Sequence, residues 1–192
     1  MKRLVLASAL LALSAPFALA QTSSWASDPA HSEVDFSIKH GGVSNVHGRF
    51  GKVNATIAYN AIDITKSSVT ATIDTTTLDT GEAARDTHLK TDAFFDVAKF
   101  PTATFTSSSV TKNGSNLQIA GNLTLHGVTK PVILDVEGPS PVVEGMMDHK
   151  PHSGFEATTV ISRTAFNIGN AFPSLILSDD VKLTIELEVV KQ

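Results

Sequence analysis

The chain has no cysteine at all among its 192 residues. That absence excludes disulfide staples, thiolate nucleophiles, Cys-x-x-Cys-His haem attachment and cysteine-based zinc or iron–sulfur sites. Aromatic residues are scarce, with one Trp and one Tyr. Two aromatic girdles, as on an outer-membrane barrel, therefore cannot be assembled. Gly-x-Ser-x-Gly, His-Glu-x-x-His and a glycine-rich phosphate cradle are all missing, and no motif asks for catalysis. No alternating βαβ pattern occurs either, which argues against a parallel sheet.

Long apolar runs are also lacking except at the start. There Met1-Lys-Arg precedes the stretch Leu4–Leu13, and Ala18-Leu-Ala20 supplies a small-x-small cleavage signal. This combination predicts a secretory signal peptide over residues 1–20, cut between Ala20 and Gln21. The run is too short to cross about 30 Å of hydrocarbon and is broken by Pro16. Residues 21–192 are then one domain, long enough to bury a core without staples. The formal charge is −4, and losing Lys2 and Arg3 takes it to −6 (−4 − 2). Neither nucleic acid nor stable membrane insertion is expected as a partner.

What fills the remainder is alternation with period two. After Trp25 and a turn at Asp28-Pro29, Val34, Phe36 and Ile38 share one face of a strand. Val53, Ala55, Ile57 and Tyr59 share one face of the next, with Phe50 out of phase across Gly51, which predicts a β-bulge. The same pattern recurs at Val69, Ala71 and Ile73, and again at Ala103 and Phe105. Asn113-Gly114 marks a hairpin, leading to Leu117, Ile119, Gly121, Leu123 and Leu125. Val132, Leu134 and Val136 follow, then Phe155, Ala157, Thr159 and Ile161. Val181 to Val189 is the cleanest case.

About eight strands joined by short turns predict an all-β fold, an antiparallel barrel or a sandwich. The length of the strands and their Ser, Thr, Asp, Asn and Lys outer faces favour the barrel. Eight strands enclose a lumen that is either filled or holds one slender ligand. Ala55, Ala71, Ala157 and Gly121 on the inward face leave room for an apolar guest.

One long stretch, Leu78 to Pro101, departs from the pattern. Ala83, Ala84, Leu89, Ala93 and Phe94 follow helical spacing, and Asp79 with Glu82 three residues on reads as a capping box. A short helix and an aromatic clasp are expected. A second irregular stretch, Phe166 to Leu177, contains Gly169 and Pro173 and reads as a loop folded over something.

Arg85, Asp86 and His88 on the helix are the first candidates for chemistry. At i, i+1 and i+3 they diverge, so pinning of the helix to barrel strands by Arg85 and Asp86 is the stronger reading, with head-group recognition as the other. His126 reads as a solvated turn residue. Met146, Met147, His149 and His152 offer soft-metal ligands but fit no fixed spacing, so a surface loop is the stronger reading.

Several motifs in order resemble the YceI-like proteins, the polyisoprenoid-binding, lipocalin-like family of bacterial periplasms. They include Asp28-Pro-Ala-His-Ser-Glu-Val-Asp-Phe-Ser-Ile-Lys-His40, Arg85-Asp-Thr-His-Leu89, Phe94-Phe-Asp-Val-Ala-Lys-Phe-Pro101 and Leu123-Thr-Leu-His-Gly-Val-Thr-Lys-Pro-Val132. The resemblance implies an eight-stranded barrel closed at one end by the helical segment, often dimeric, with an isoprenoid chain in its lumen. Lumen and mouth residues would then be Phe36, Ile38, Phe105, Leu125, Phe155 and Phe166 from the wall. Phe94, Phe95, Phe100, Arg85 and His88 would join them from the insert. No catalytic residue, metal or cofactor is expected beyond a bound isoprenoid lipid. Two positions depart from the family pattern, Ala165 where an Asp is usual and His152 where an Arg is. An extracytoplasmic enzyme on a lipid, and a structural or stress protein with a filled core, remain the alternatives.

Overall fold

A period of two puts every second side chain on the same side of a strand, so a chain built this way has one apolar sheet face to bury. The computed structural model describes residues 22–192, and it buries that face by closing the sheet on itself. The proposed leader at 1–20 lies outside the described residues.

The strands are β1 (Thr22–His40), β2 (Ser44–Phe50), β3 (Val53–Asn60), β4 (Ser68–Asp74), β5 (Leu78–Asp79), β6 (Thr102–Asn113), β7 (Asn116–Leu125), β8 (Val128–Glu137), β9 (Val143–Glu144), β10 (Pro151–Ser162) and β11 (Leu177–Lys191). One helix, α1 (Ala83–Leu89), separates β5 from β6. All pairings are antiparallel, in the order β11-β10-β8-β7-β6-β4-β3-β1. The ring closes because β1 also pairs with β11, with Val34 opposite Ile185 and Phe36 opposite Leu183. Since β2 runs on from β3 along the same neighbour, the wall is a closed eight-stranded barrel, as expected.

The first strand is longer than its sequence implies. Asp28-Pro29 does not end the strand: β1 continues through it as a bulge, where the Ala30 N–H donates to Asp28 Oδ1 at 2.9 Å. Proline lacks the N–H a ladder needs, and the pairing with β11 is interrupted between Ser27 and Ser32, where no such N–H is called for. Opposite this point β2 and β3 break at Gly51-Lys52. Ser27 bridges the gap, its Oγ donating to the Val53 carbonyl at 2.8 Å and accepting from the Ala55 N–H at 2.7 Å. Both strands bend together, and Phe50 and Val53, three residues apart, both point inward. The register shift expected at Gly51 is thus present.

The wall is thinnest between β8 and β10, where only Glu156, Ala157 and Thr158 find partners. A 3₁₀ turn at Thr164–Phe166 packs on β8 beside this seam. Outside, Glu33, Glu186 and Glu156 stand in one row across β1, β11 and β10, continued by Glu137 of β8. Like charges directly opposed repel. Partial burial, then the neighbouring Glu156, Asp35 and Glu33, push the Glu186 carboxyl above its ordinary value.

Inside, two apolar zones cap the barrel. The lower end holds Trp25, Ile57, Val189, Val110, Leu117, Val136 and Ala157, with Ile64 packed against them from a short turn. The upper end holds Phe36, Phe50, Phe94, Phe105, Leu125 and Ile161. Between them, Val69, Ala71, Ile73, Leu183 and Ile185 point inward yet stay only half-buried. A side chain on the inner face of a closed wall remains accessible only if it borders a void.

Candidate functional site

That void is a cavity of about 400 Å³, bordered by Tyr59, Val110 and Phe155 at the lower end and by Phe94, Phe172 and Ile176 at the upper. A filled core, one of the readings left open by the residues, is thereby excluded. The lining is hydrocarbon along the shaft except for Thr159 of β10. Polar side chains border it at the ends: Tyr59, Ser67 and Ser68 below, and His40, Thr75, Arg85, His88 and Arg163 near the lid. His40, His88 and Ile176 border the cavity and are also exposed, so they mark its mouth.

Two chain segments close the upper end. The first is α1 and the turns after it. Seven residues are too few to hold a helix in water unaided, and the bonds that stabilise this one differ from the expected capping box. Glu82, not Asp79, is the N-cap, accepting from the Ala84 N–H at 3.4 Å. Asp79 is instead in β5, where its side chain accepts from the Gly81 N–H at 2.8 Å. Arg85 and Asp86 do not reach the barrel wall, contrary to expectation. Both close on Thr80: Asp86 accepts from its N–H (2.9 Å) and its hydroxyl (2.5 Å), while Arg85 donates to that hydroxyl (2.8 Å) and to the Thr80 carbonyl (2.9 Å). Thr80 follows β5, which pairs with Arg49 and Phe50 of β2, so the helix is moored through a turn.

Beyond α1 the chain reverses at Asp96, whose φ of 43° is left-handed. The reversal presents two adjacent rings. Phe94 stacks on Phe172 at 5.1 Å and meets the His88 ring edge-on at 5.1 Å. Phe95 meets Phe50 edge-on at 5.4 Å. Both border the cavity, as do Phe36, Ile38, Phe105, Leu125, Phe155, Arg85 and His88.

Phe100 and Phe166 do not border it. Ala103 and Phe105 point inward, so alternation turns Phe100 outward, where its ring lies 4.7 Å from that of His126. Phe166 follows the end of β10, where alternation no longer applies. It is 2% exposed and fills the core beside the β8–β10 seam. His126 is accordingly no solvated turn residue: it is half-buried, with Nδ1 3.1 Å from the Phe166 carbonyl.

The second closing segment, residues 164–177, is organised by a residue that sequence reasoning passed over. Arg163 is 2% exposed. Its Nε donates to the Ser178 carbonyl at 2.9 Å. Nη1 donates to the carbonyls of Ile168 (3.0 Å) and Gly169 (2.6 Å), and Nη2 to those of Phe172 (2.6 Å) and Leu177 (2.9 Å). A guanidinium has five N–H groups, and five carbonyls receive them. Burying a cation is costly without such partners. Asp179 adds a flank, accepting from Ser162 Oγ (2.6 Å), Thr164 Oγ1 (2.6 Å) and Thr164 N (3.0 Å). These bonds, Ser162 foremost, hold its carboxyl below the ordinary carboxylate value. A signal existed in the sequence: the inward series Phe155, Ala157, Thr159, Ile161 continues to position 163, placing a charge on an apolar face.

The Met-bearing loop is on the surface, with Met146 93% and Met147 96% exposed. His149 pairs with Glu144 at 2.9 Å, while His152 lies between Glu188 (2.6 Å) and Asp148 (3.1 Å). Neither His152 nor Ala165 borders the cavity, so the two departures from the family pattern lie off its wall.

Comparison with known proteins places the chain in a family. The model of the YceI-like domain matches residues 25–189. Protein YceI of Salmonella arizonae is 41% identical over 165 residues, covering 84% of this chain and 83% of its own length. Among solved structures, Burkholderia cenocepacia BcnA superposes with a TM-score of 0.73 at 25% identity, over 84% of this chain and 98% of that one. The Campylobacter jejuni YCEI protein gives 0.71 at 33% identity, over 81% and 90%. A polyisoprenoid binding domain from Saccharophagus degradans, implicated in plant cell wall breakdown, has the same fold, with a TM-score of 0.64 at 16% identity over 88% and 99%.

Proposed function

The chain belongs to the YceI-like family, and from that premise we propose that it is a lipid-binding protein that carries or sequesters an isoprenoid amphiphile, a polyprenyl lipid or a quinone-like molecule, in its lumen. The observation that carries this reading is the cavity itself, hydrocarbon along its shaft but for Thr159, with the other polar groups at its ends. Each methylene buried there contributes roughly 0.8 kcal/mol, so one isoprene unit is worth several kcal/mol gross. Affinity then grows with chain length, while Arg85 and His88 at the lid select the head. The binding domain from Saccharophagus degradans supports the ligand class by its fold alone.

An enzyme acting on a lipid would need an acid–base relay at the lid. Asp86 and Arg85 are engaged on Thr80, and His88 meets the rings of Phe94 and Phe172, so the three residues form no such relay.

Periplasmic location and a homodimer belong to the same proposal, and cell fractionation and light scattering read them separately. The central test is native mass spectrometry with lipid extraction on protein purified from the periplasm. A prenyl lipid should be retained, and Phe95→Asp should release it far more than His126→Ala does. Protein that comes out empty and takes up no prenyl lipid from detergent would overturn the reading.

A further inference from the structure

On the outer wall, beside the lower end, five titratable side chains from β1, β11, β10 and the loop before β10 form a continuous cluster: Asp28, His31, Glu188, His152 and Asp148. Its two central carboxylates share one feature. Each has one oxygen already engaged from the periphery and the other left facing His31. Asp28 Oδ1 accepts from the Ala30 N–H at 2.9 Å, and its Oδ2 is 2.9 Å from His31 Nδ1. Glu188 Oε1 is 2.6 Å from His152 Nδ1, and its Oε2 is 3.9 Å from the same His31 nitrogen. One nitrogen with one hydrogen cannot serve both oxygens well. The three atoms, one from each residue, lie within 4.8 Å of one another.

The backbone beneath is fixed. Ser32, 3% exposed, donates its hydroxyl to the Glu188 carbonyl at 3.3 Å and accepts from the Glu188 N–H at 3.2 Å. That contact ties the strand carrying His31 to the strand carrying Glu188, at the place where the β1–β11 ladder resumes after its interruption. Outward of Glu188, His152 is held on its other face by Asp148 at 3.1 Å. A ligating carboxylate oriented by a hydrogen-bonded imidazole, itself oriented by a second carboxylate, is the layered support that metal sites use.

We propose that Asp28, His31 and Glu188 form a binding site for a divalent cation of the zinc type, with His152 and Asp148 as its outer support. One imidazole nitrogen and two carboxylate oxygens suit a borderline cation such as Zn²⁺. Three protein ligands leave at least one position for water. His31 would bind through Nδ1 and keep its proton on Nε2, facing solvent. The strands that carry the site also line the lumen through Phe155 and Leu187, so a cation here would cross-link β1 to β11 where their ladder is broken. The Met-bearing loop is not the site: His149 turns to Glu144, away from this set.

The test is calorimetric titration of untagged, chelator-treated protein with ZnCl₂, alongside thermal unfolding with and without the ion. One Zn²⁺ per chain should bind, and it should raise Tm, because a ligand held only by the folded state stabilises it. His31→Ala and Glu188→Gln should each weaken binding by about tenfold or more, and His152→Ala by about tenfold through lost orientation. His149→Ala should leave binding unchanged. Absence of binding to the parent protein overturns the proposal. So does Zn²⁺ binding that survives His31→Ala and disappears in His149→Ala, which would mark adventitious capture by the surface loop. The outcome does not depend on what occupies the lumen.

Discussion

The two segments that close the upper end of the barrel perform one task with opposite constructions. The α1 segment is held from outside itself: its polar bonds converge on Thr80 in the turn before it, and its rings rest on Phe50 and Phe172. Residues 164–177 are held by the buried cation at their foot, Arg163, which gathers four of their carbonyls and that of Ser178 just beyond them. The first can lift by parting a few rings and straining a turn. Opening the second would part the guanidinium from the loop's four carbonyls, at roughly 1–3 kcal/mol for each buried group left unpaired. On the proposed carrier function, the α1 segment would serve as the gate and the loop built on Arg163 as the jamb against which it closes.

The largest test of that division is Arg163→Met, which keeps an apolar stem of similar shape and removes all five donors. Destabilisation of about 3–5 kcal/mol is expected, as when one partner of a buried charged network is lost. For a domain of this size that lowers Tm by about 10 °C, read by circular dichroism. An unchanged Tm would mean that apolar packing holds the loop, and the distinction would vanish.

Next comes Phe94→Ala, since this ring is where gate and jamb meet. Gly169 donates to the Ala93 carbonyl at 3.1 Å beneath the stacked pair of Phe94 and Phe172. Removing a buried phenylalanine costs about 3–5 kcal/mol in a filled core, and about 2–3 kcal/mol is expected here because the site already borders a void. Bound lipid should dissociate faster from this variant. If Tm falls but retention does not change, the gate lies elsewhere.

Arg85→Ala should act on the gate alone. It removes two bonds to Thr80 from a half-exposed side chain, about 1 kcal/mol in total after solvent competition, or a Tm lower by about 2–4 °C. Amide exchange over residues 83–89 should accelerate while that of residues 166–177 stays as in the parent, because local opening is governed by local bonds. Acceleration of both segments together would show that they open as one body.

How much of this was legible beforehand follows from the range of the forces involved. Period two is a local property, so the inward sets such as Leu117 to Leu125 and Val181 to Val189 could be read from neighbours two residues away. They yield the barrel, its apolar lumen and five of the candidate lining residues, Phe36, Ile38, Phe105, Leu125 and Phe155, while the other four that border the cavity, Phe94, Phe95, Arg85 and His88, come from the insert, where parity does not apply. Parity also turns Phe100 outward, although the aromatic clustering around the insert pointed the other way. What parity cannot reach is a bond across the chain. Thr80 as the shared partner of Arg85 and Asp86, Phe166 leaving the lumen for the seam, and His31 meeting Glu188 157 positions on (188 − 31) all depend on how the ring closes. Arg163 stands between these cases: its inward direction was readable from Ile161, whereas its five carbonyl partners were not.

The smallest effect sharpens the comparison by separating the jamb's cation from its acidic flank. Asp179 accepts from Ser162 and Thr164 at the foot of the loop, and those bonds, with Ser162 first, lower its carboxyl from the ordinary value of 3.8. A carboxylate with a lowered folded-state value stabilises the fold fully above about pH 4 and loses that contribution as pH falls through the folded value. Asp179→Asn should therefore lower Tm by about 2 °C at pH 7. The gap should narrow as pH falls below about 4 and close once the parent carboxylate is itself protonated. Arginine stays charged throughout that range, so the deficit of Arg163→Met should persist at every pH at which the parent remains folded. A gap for Asp179→Asn that stayed constant as pH fell, for as long as the parent remains folded, would mean that its contribution is one of shape rather than charge, and the jamb would then rest on Arg163 alone.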